Sequence, residues 1–137
     1  MKGAILKRIV IGAILVCLNS CKATDISSIS ETEAQLLVKQ NLCDFQISFG
    51  SYGSGTPSDV HSRIVSYIKD QKGIKKISTW SWGLEGESDY CIEFSDEKLV
   101  YAAKDDIVKM IPATSKEGYT ILKFQGKEIF RTQWPKD

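Results

Sequence analysis

Phe45, Ile47 and Phe49 alternate with Gln46, Ser48 and Gly50, and Cys43 and Asp44 carry the alternation backwards. A period of two predicts a strand with one buried face. Before it, Ala34, Leu37, Val38 and Leu42 share a helical face, and Ser30 with Glu33 has capping-box spacing, which predicts a helix over 31–41. After it, Gly50 to Gly55 form a glycine-rich run, followed by Thr56 as N-cap, Pro57 as first helical residue and Asp59 in the first turn. Val60, Ile64, Tyr67 and Ile68 then give a helical stripe that stops at Gly73.

Ile74 to Trp82 and Asp89 to Phe94 read as two strands of a hairpin across Gly83 to Glu87. Ser95 or Asp96 caps a further helix, in which Leu99, Ala103, Ile107 and Met110 form a broad apolar face ending near Pro112. The competing pattern there is a strand at 99–102. Tyr119 to Phe124 and Glu128 to Thr132 make a second hairpin across Gln125, Gly126 and Lys127. Strand, helix, strand, strand, helix, strand predicts an α+β domain of the ferredoxin-like βαββαβ kind. Its antiparallel sheet would carry helices on one face and an extra C-terminal strand.

The first residues follow a different plan. Lys2, Lys7 and Arg8 precede an apolar run from Ile9 to Leu18, the layout of a signal peptide. That run is about half of the roughly 20 apolar residues that span a bilayer, so a cleaved leader fits better than a transmembrane anchor. Leu18, Asn19, Ser20 and Cys21 resemble the lipobox of bacterial lipoproteins. The resemblance covers the leader alone and implies cleavage before Cys21, a diacylglyceryl thioether on its sulfur and attachment to a membrane. Two or more acyl chains hold a protein stably where one is marginal. Ordinary secretion, or an uncleaved anchor, is the competing reading. The expected organisation is a leader over 1–20, a tether over 21–30 and one domain over 31–137, with the mature chain facing the periplasm from the outer membrane if the cell has two membranes.

Composition narrows the function. At 137 residues and 42% hydrophobic content the chain supports one core. Losing Lys2, Lys7 and Arg8 from 18 basic residues leaves 15 against 17 acidic ones, and a mature charge of −2 does not suit a nucleic-acid binder. With Cys17 in the leader and Cys21 carrying lipid, Cys43 and Cys91 remain in an oxidising compartment, where two such thiols pair. The phase argues the other way. Cys43 keeps step with Phe45 and Ile47 while Cys91 is out of step with Tyr90 and Ile92, so regular strands would hold the thiols on opposite faces. A bridge requires Cys43 to lie outside its strand, or a bulge.

Candidate chemistry is sparse. The run Gly50 to Gly55, with Tyr52, Gly53, Ser54 and Gly55, lies between a strand and a helix start, where backbone amides bind phosphate in many α/β proteins. No Gly-Lys-Ser/Thr follows, and the plainer reading is that the glycines supply positive φ in a loop. His61, the single histidine, has serines nearby in sequence but no nucleophile elbow around them, and reads as a surface residue of the first helical turn. Two distant cysteines and one histidine match no metal spacing, and no cofactor motif is present. Trp80 and Trp82 share one side of a strand, either the open face or the core face. These features favour a binding module over an enzyme: a lipid-tethered domain that contacts another envelope protein, as an inhibitor or immunity-type factor would. A small-ligand or glycan binder using the glycine loop or the tryptophans is the second reading.

Overall fold

A computed structural model describes residues 24–136. The expected leader, Cys21 and the start of the tether lie outside them. Among the described residues no helix is long and apolar enough to cross a membrane. The elements run β1 (Ile26–Ser28), α1 (Glu31–Lys39), β2 (Phe45–Ser51), α2 (Ser58–Asp70), β3 (Ile74–Ser81), β4 (Ser88–Phe94), α3 (Glu97–Met110), β5 (Gly118–Phe124) and β6 (Lys127–Arg131).

The fold is α+β, but the ferredoxin-like antiparallel plan is corrected. The sheet has six strands in the order β1-β3-β4-β2-β5-β6, and it is mixed because β1 pairs parallel with β3. Ile26 to Ser28 thus form an edge strand where a tether was expected. Three residues, two of them serine, are too short to display a period, and their pairing uses backbone groups that any side chain can carry. Helices also occupy both faces instead of one. α2 and α3 cover the side that presents Phe45, Ile47, Phe49, Ile77, Ile92 and Leu122, the main core. On the other side Ala34 of α1, with Ile29 and Leu37, packs on Cys43, Trp80 and Cys91.

Local chemistry explains the boundaries. The Ser30 hydroxyl accepts from the Glu33 amide at 3.3 Å while the Glu33 carboxylate accepts from the Ser30 amide at 3.0 Å, so the capping box forms. Asn41 at φ 52° ends the chain's helical course before β2. In α2 the cap is Pro57, not Thr56, and no side chain bonds the first amides; proline costs nothing at a position whose N–H has no helical partner. Asp96, not Ser95, caps α3, accepting from the Lys98 amide at 2.9 Å, and the helix runs through 99–102 where a strand competed. Gln125 and Gly126, both at positive φ, close the β5–β6 hairpin as a two-residue turn.

Cys43 and Cys91 are joined by a disulfide with Cα atoms 5.1 Å apart. The phase conflict resolves because β2 begins at Phe45, so Cys43 lies before the strand and is free of its alternation. Cys91 points to the α1 side, and the bridge ties the end of the α1 segment down onto β4.

Candidate aromatic face on the open side of the sheet

Alternation and register fix what the α1 side presents. Trp80 pairs with Asp89, Asp89 with Ser48, Ser48 with Ile121 and Ile121 with Arg131, giving one row of side chains across β3, β4, β2, β5 and β6. The neighbouring row toward the loop end includes Gly50 and Tyr119. Trp82 follows β3 on the same side, two residues beyond Trp80.

The two tryptophans share a side, as expected, but α1 separates their fates. Trp80 is 8% exposed beneath Ala34, and Trp82 is 38% exposed. The even choice between core and open face therefore has a divided answer: one ring is core and one is surface. Trp82 is held from below, its Nε1–H donating to Asp89 Oδ1 at 2.8 Å. Gln46 donates its side-chain amide to Asp89 Oδ2 at 2.9 Å. A carboxylate this buried is retained only when its oxygens are satisfied, and here the satisfaction also fixes the orientation of an exposed indole.

A second aromatic group stands across β2. The Tyr119 ring lies over Gly50, where a Cβ would meet its Cζ at 2.1 Å. Only glycine leaves room there. Tyr52 packs on Tyr119 with ring centroids 5.2 Å apart, and Trp134 meets Tyr52 edge-on at 5.1 Å. Tyr52 and Trp134 are both exposed, and the Tyr52 hydroxyl donates to the Thr132 carbonyl at 3.3 Å. Tyr52 and Trp134 are legible in the sequence as aromatic residues able to border a tryptophan patch, whereas Tyr119 carries no sign there of its packing on Tyr52.

The glycine loop is folded around the chain's own groups. Gly53 and Gly55 both have positive φ, at 105° and 99°, which is the plainer reading of the run. Their amides donate to Ser51 Oγ at 2.8 and 3.1 Å. Ser51 Oγ in turn donates to the Glu85 carboxylate, which also accepts from the Gly55 amide at 3.4 Å. Ser54 donates to the Glu117 carbonyl at 3.3 Å. An incoming phosphate would have to displace Ser51 Oγ from both amides and the Glu85 carboxylate from that of Gly55. The aromatic face makes no such demand.

His61 is not the surface residue expected. It is half-buried, 2.9 Å from the Tyr90 hydroxyl and edge-on to Phe49 at 4.6 Å between ring centroids, on the opposite side of the sheet from Trp82. The cause is the turn of α2, which brings position 61 inward beside buried Val60 and Ile64. Burial lowers the His61 pKa below the usual histidine range and raises that of Tyr90. Among the described residues no group of three or more histidine, cysteine or carboxylate side chains is placed to hold a metal ion.

Comparison with protein-family models, curated proteins and solved structures finds no match for this chain.

Proposed function

We propose that the protein is a lipid-anchored binding module of the cell envelope, whose open sheet face engages another envelope protein. The observation that carries this reading is the pinned Trp82 indole, standing with Tyr52 and Trp134 on one face of the sheet. Large aromatic rings held rigid at a surface lose little entropy on binding and are enriched at the energetic centres of protein interfaces. Leu84, fully exposed in the adjoining loop, adds apolar area.

The anchor belongs to the same proposal. Lipid on Cys21 would hold the domain at a membrane surface, and the Cys43–Cys91 disulfide suits an oxidising compartment. A tethered domain meets membrane partners at raised effective concentration, so one modest aromatic patch suffices. No catalytic role is included in the proposal.

Affinity capture from solubilised envelopes tests it. The wild-type chain is expected to retain a defined partner, Trp82→Ala to lose it, and Trp80→Phe, which keeps the buried ring beneath α1, to hold it. Equal recovery with Trp82→Ala would remove the reading's support. Cys21→Ser is expected to abolish incorporation of labelled lipid; persistent labelling would exclude the anchor.

A further inference from the structure

The chain enters the sheet at one end and presents Trp82 at the other. β1 runs parallel to β3 with Ile26 opposite Ile77, so Thr24 and Asp25 approach from the end at which β3 begins. Cys21 is three residues before Thr24 and lies within about 11 Å of it even at full extension. The eight residues of β3 then rise about 26 Å to Trp82 at the opposite end.

Three exposed apolar side chains surround the entry end. Ser95 donates its amide to the Gly73 carbonyl at 2.8 Å, and Leu99 of α3 lies against Gly73, just before β3. Phe45, which opens β2, is opposite Ile92 and Phe124 near the ends of β4 and β5. Tyr101 packs on Phe124 with ring centroids 5.5 Å apart. Asn41 lies beside Gly126 in the β5–β6 turn, and Leu42 follows it into β2. Leu42, Leu99 and Tyr101 are all exposed. Lys72, Lys98 and Lys127 stand exposed among them, balanced by exposed Asp25, Asp70 and Glu97. With the charges balanced, what this end offers a partner is apolar. Lysine stems can lie along such a contact and carry their ammonium groups outward.

We propose that this end of the domain rests on the phospholipid bilayer that holds the Cys21 lipid, with Leu42, Leu99 and Tyr101 seated among the headgroups. The chain's entry into β1 and the exposed apolar side chains lie at the same end, and tyrosine is a ring that settles at membrane–water interfaces. A lipid attached within reach holds that end at high effective concentration beside the bilayer, so three apolar side chains suffice. Trp82 and Leu84, at the far end, then project away from the membrane toward a partner that stands out from it. This orientation rests on the anchor of the proposed function and adds the surface that meets lipid.

Full-length protein, made with its leader and reconstituted in phosphatidylcholine vesicles that carry a headgroup nitroxide, tests it. An environment-sensitive fluorescent amino acid is placed at Leu42, Tyr101 or Leu84 in turn. The Leu42 and Tyr101 probes are expected to shift to the blue and lose intensity to the nitroxide, and the Leu84 probe to do neither. Leu42→Glu should remove the quenching of the Tyr101 probe, with circular dichroism and an intact disulfide showing that the fold survives. No quenching at any position, equal quenching at Leu84 and Leu42, or a Tyr101 probe indifferent to Leu42→Glu would overturn the proposal. Each of those results leaves the anchor and Trp82-dependent capture standing. Protein that carries no lipid and does not float with the vesicles would overturn the anchor and this orientation together.

Discussion

Trp82 donates its indole N–H to Asp89 at 2.8 Å, so an exposed ring is positioned by a carboxylate that is itself 8% exposed. The arrangement places a polar group where a sheet would ordinarily bury an apolar one. It makes the orientation of a surface aromatic depend on a residue that a partner hardly touches.

Asp89→Ala therefore has two expected effects. Removing the acceptor leaves the Trp82 and Gln46 donors without their partner, and such a loss costs about 1–3 kcal/mol. Urea denaturation should show it as a lower midpoint with an unchanged slope. The freed indole should also weaken capture of the proposed envelope partner, whereas an unchanged midpoint and unchanged capture would deny Asp89 its positioning role.

Gly50 and Tyr119 form a pair in which one residue exists to admit the other. Gly50→Ala should destabilise the fold by about 1–3 kcal/mol through overpacking, and it should displace Tyr119 from Tyr52. In a Gly50→Ala, Tyr119→Ala double variant that penalty should largely vanish, because the clashing ring is gone. Additive losses would mean that the ring does not determine the glycine.

The Cys43–Cys91 bridge closes a separation of 48 residues. Replacing both cysteines with serine should cost about 2–4 kcal/mol. The loss should include docking of α1, visible as a red shift of tryptophan emission when Trp80 becomes wet. A shift confined to Trp82 would place the bridge's effect elsewhere.

His61 gives the fold a mild acid sensitivity. Burial lowers its pKa in the folded state, so the unfolded chain binds the proton more readily. Its contribution is fully present above the unfolded value of about 6.5 and is lost as pH falls through that value toward the lowered one. Melting temperature should drop between pH 7 and about 5, and His61→Gln should flatten that interval. Glu33 and Glu128 also have lowered pKa values, each through its hydrogen-bonded partner, but both lie at the surface and titrate below this window.

Much of the fold was readable because its periods are long. β2, α2 and α3 each repeat their apolar spacing several times, and the Ser30–Glu33 capping box is a local motif with local causes. β1 was illegible for the opposite reason: three residues have no period, and its pairing with β3 depends on partners 51 positions away, as Ile26 with Ile77. That one strand turns the expected antiparallel sheet into a mixed one. The position of α1 was hidden too, since Ala34 and Leu37 announce a buried face but not which side of the sheet buries it. The candidate site followed the same divide. Trp80 and Trp82 were visibly a pair, while Asp89, Gln46 and Tyr119 join that face only through cross-strand register, and Trp134 only by packing on Tyr52.

The most direct measurement places a photoreactive phenylalanine at Leu84, fully exposed in the loop after Trp82, in the full-length protein in living cells. The account predicts one discrete adduct with a different envelope protein, lost when Trp82→Ala is added to the same chain. No adduct, or an adduct unaffected by Trp82→Ala, would contradict it.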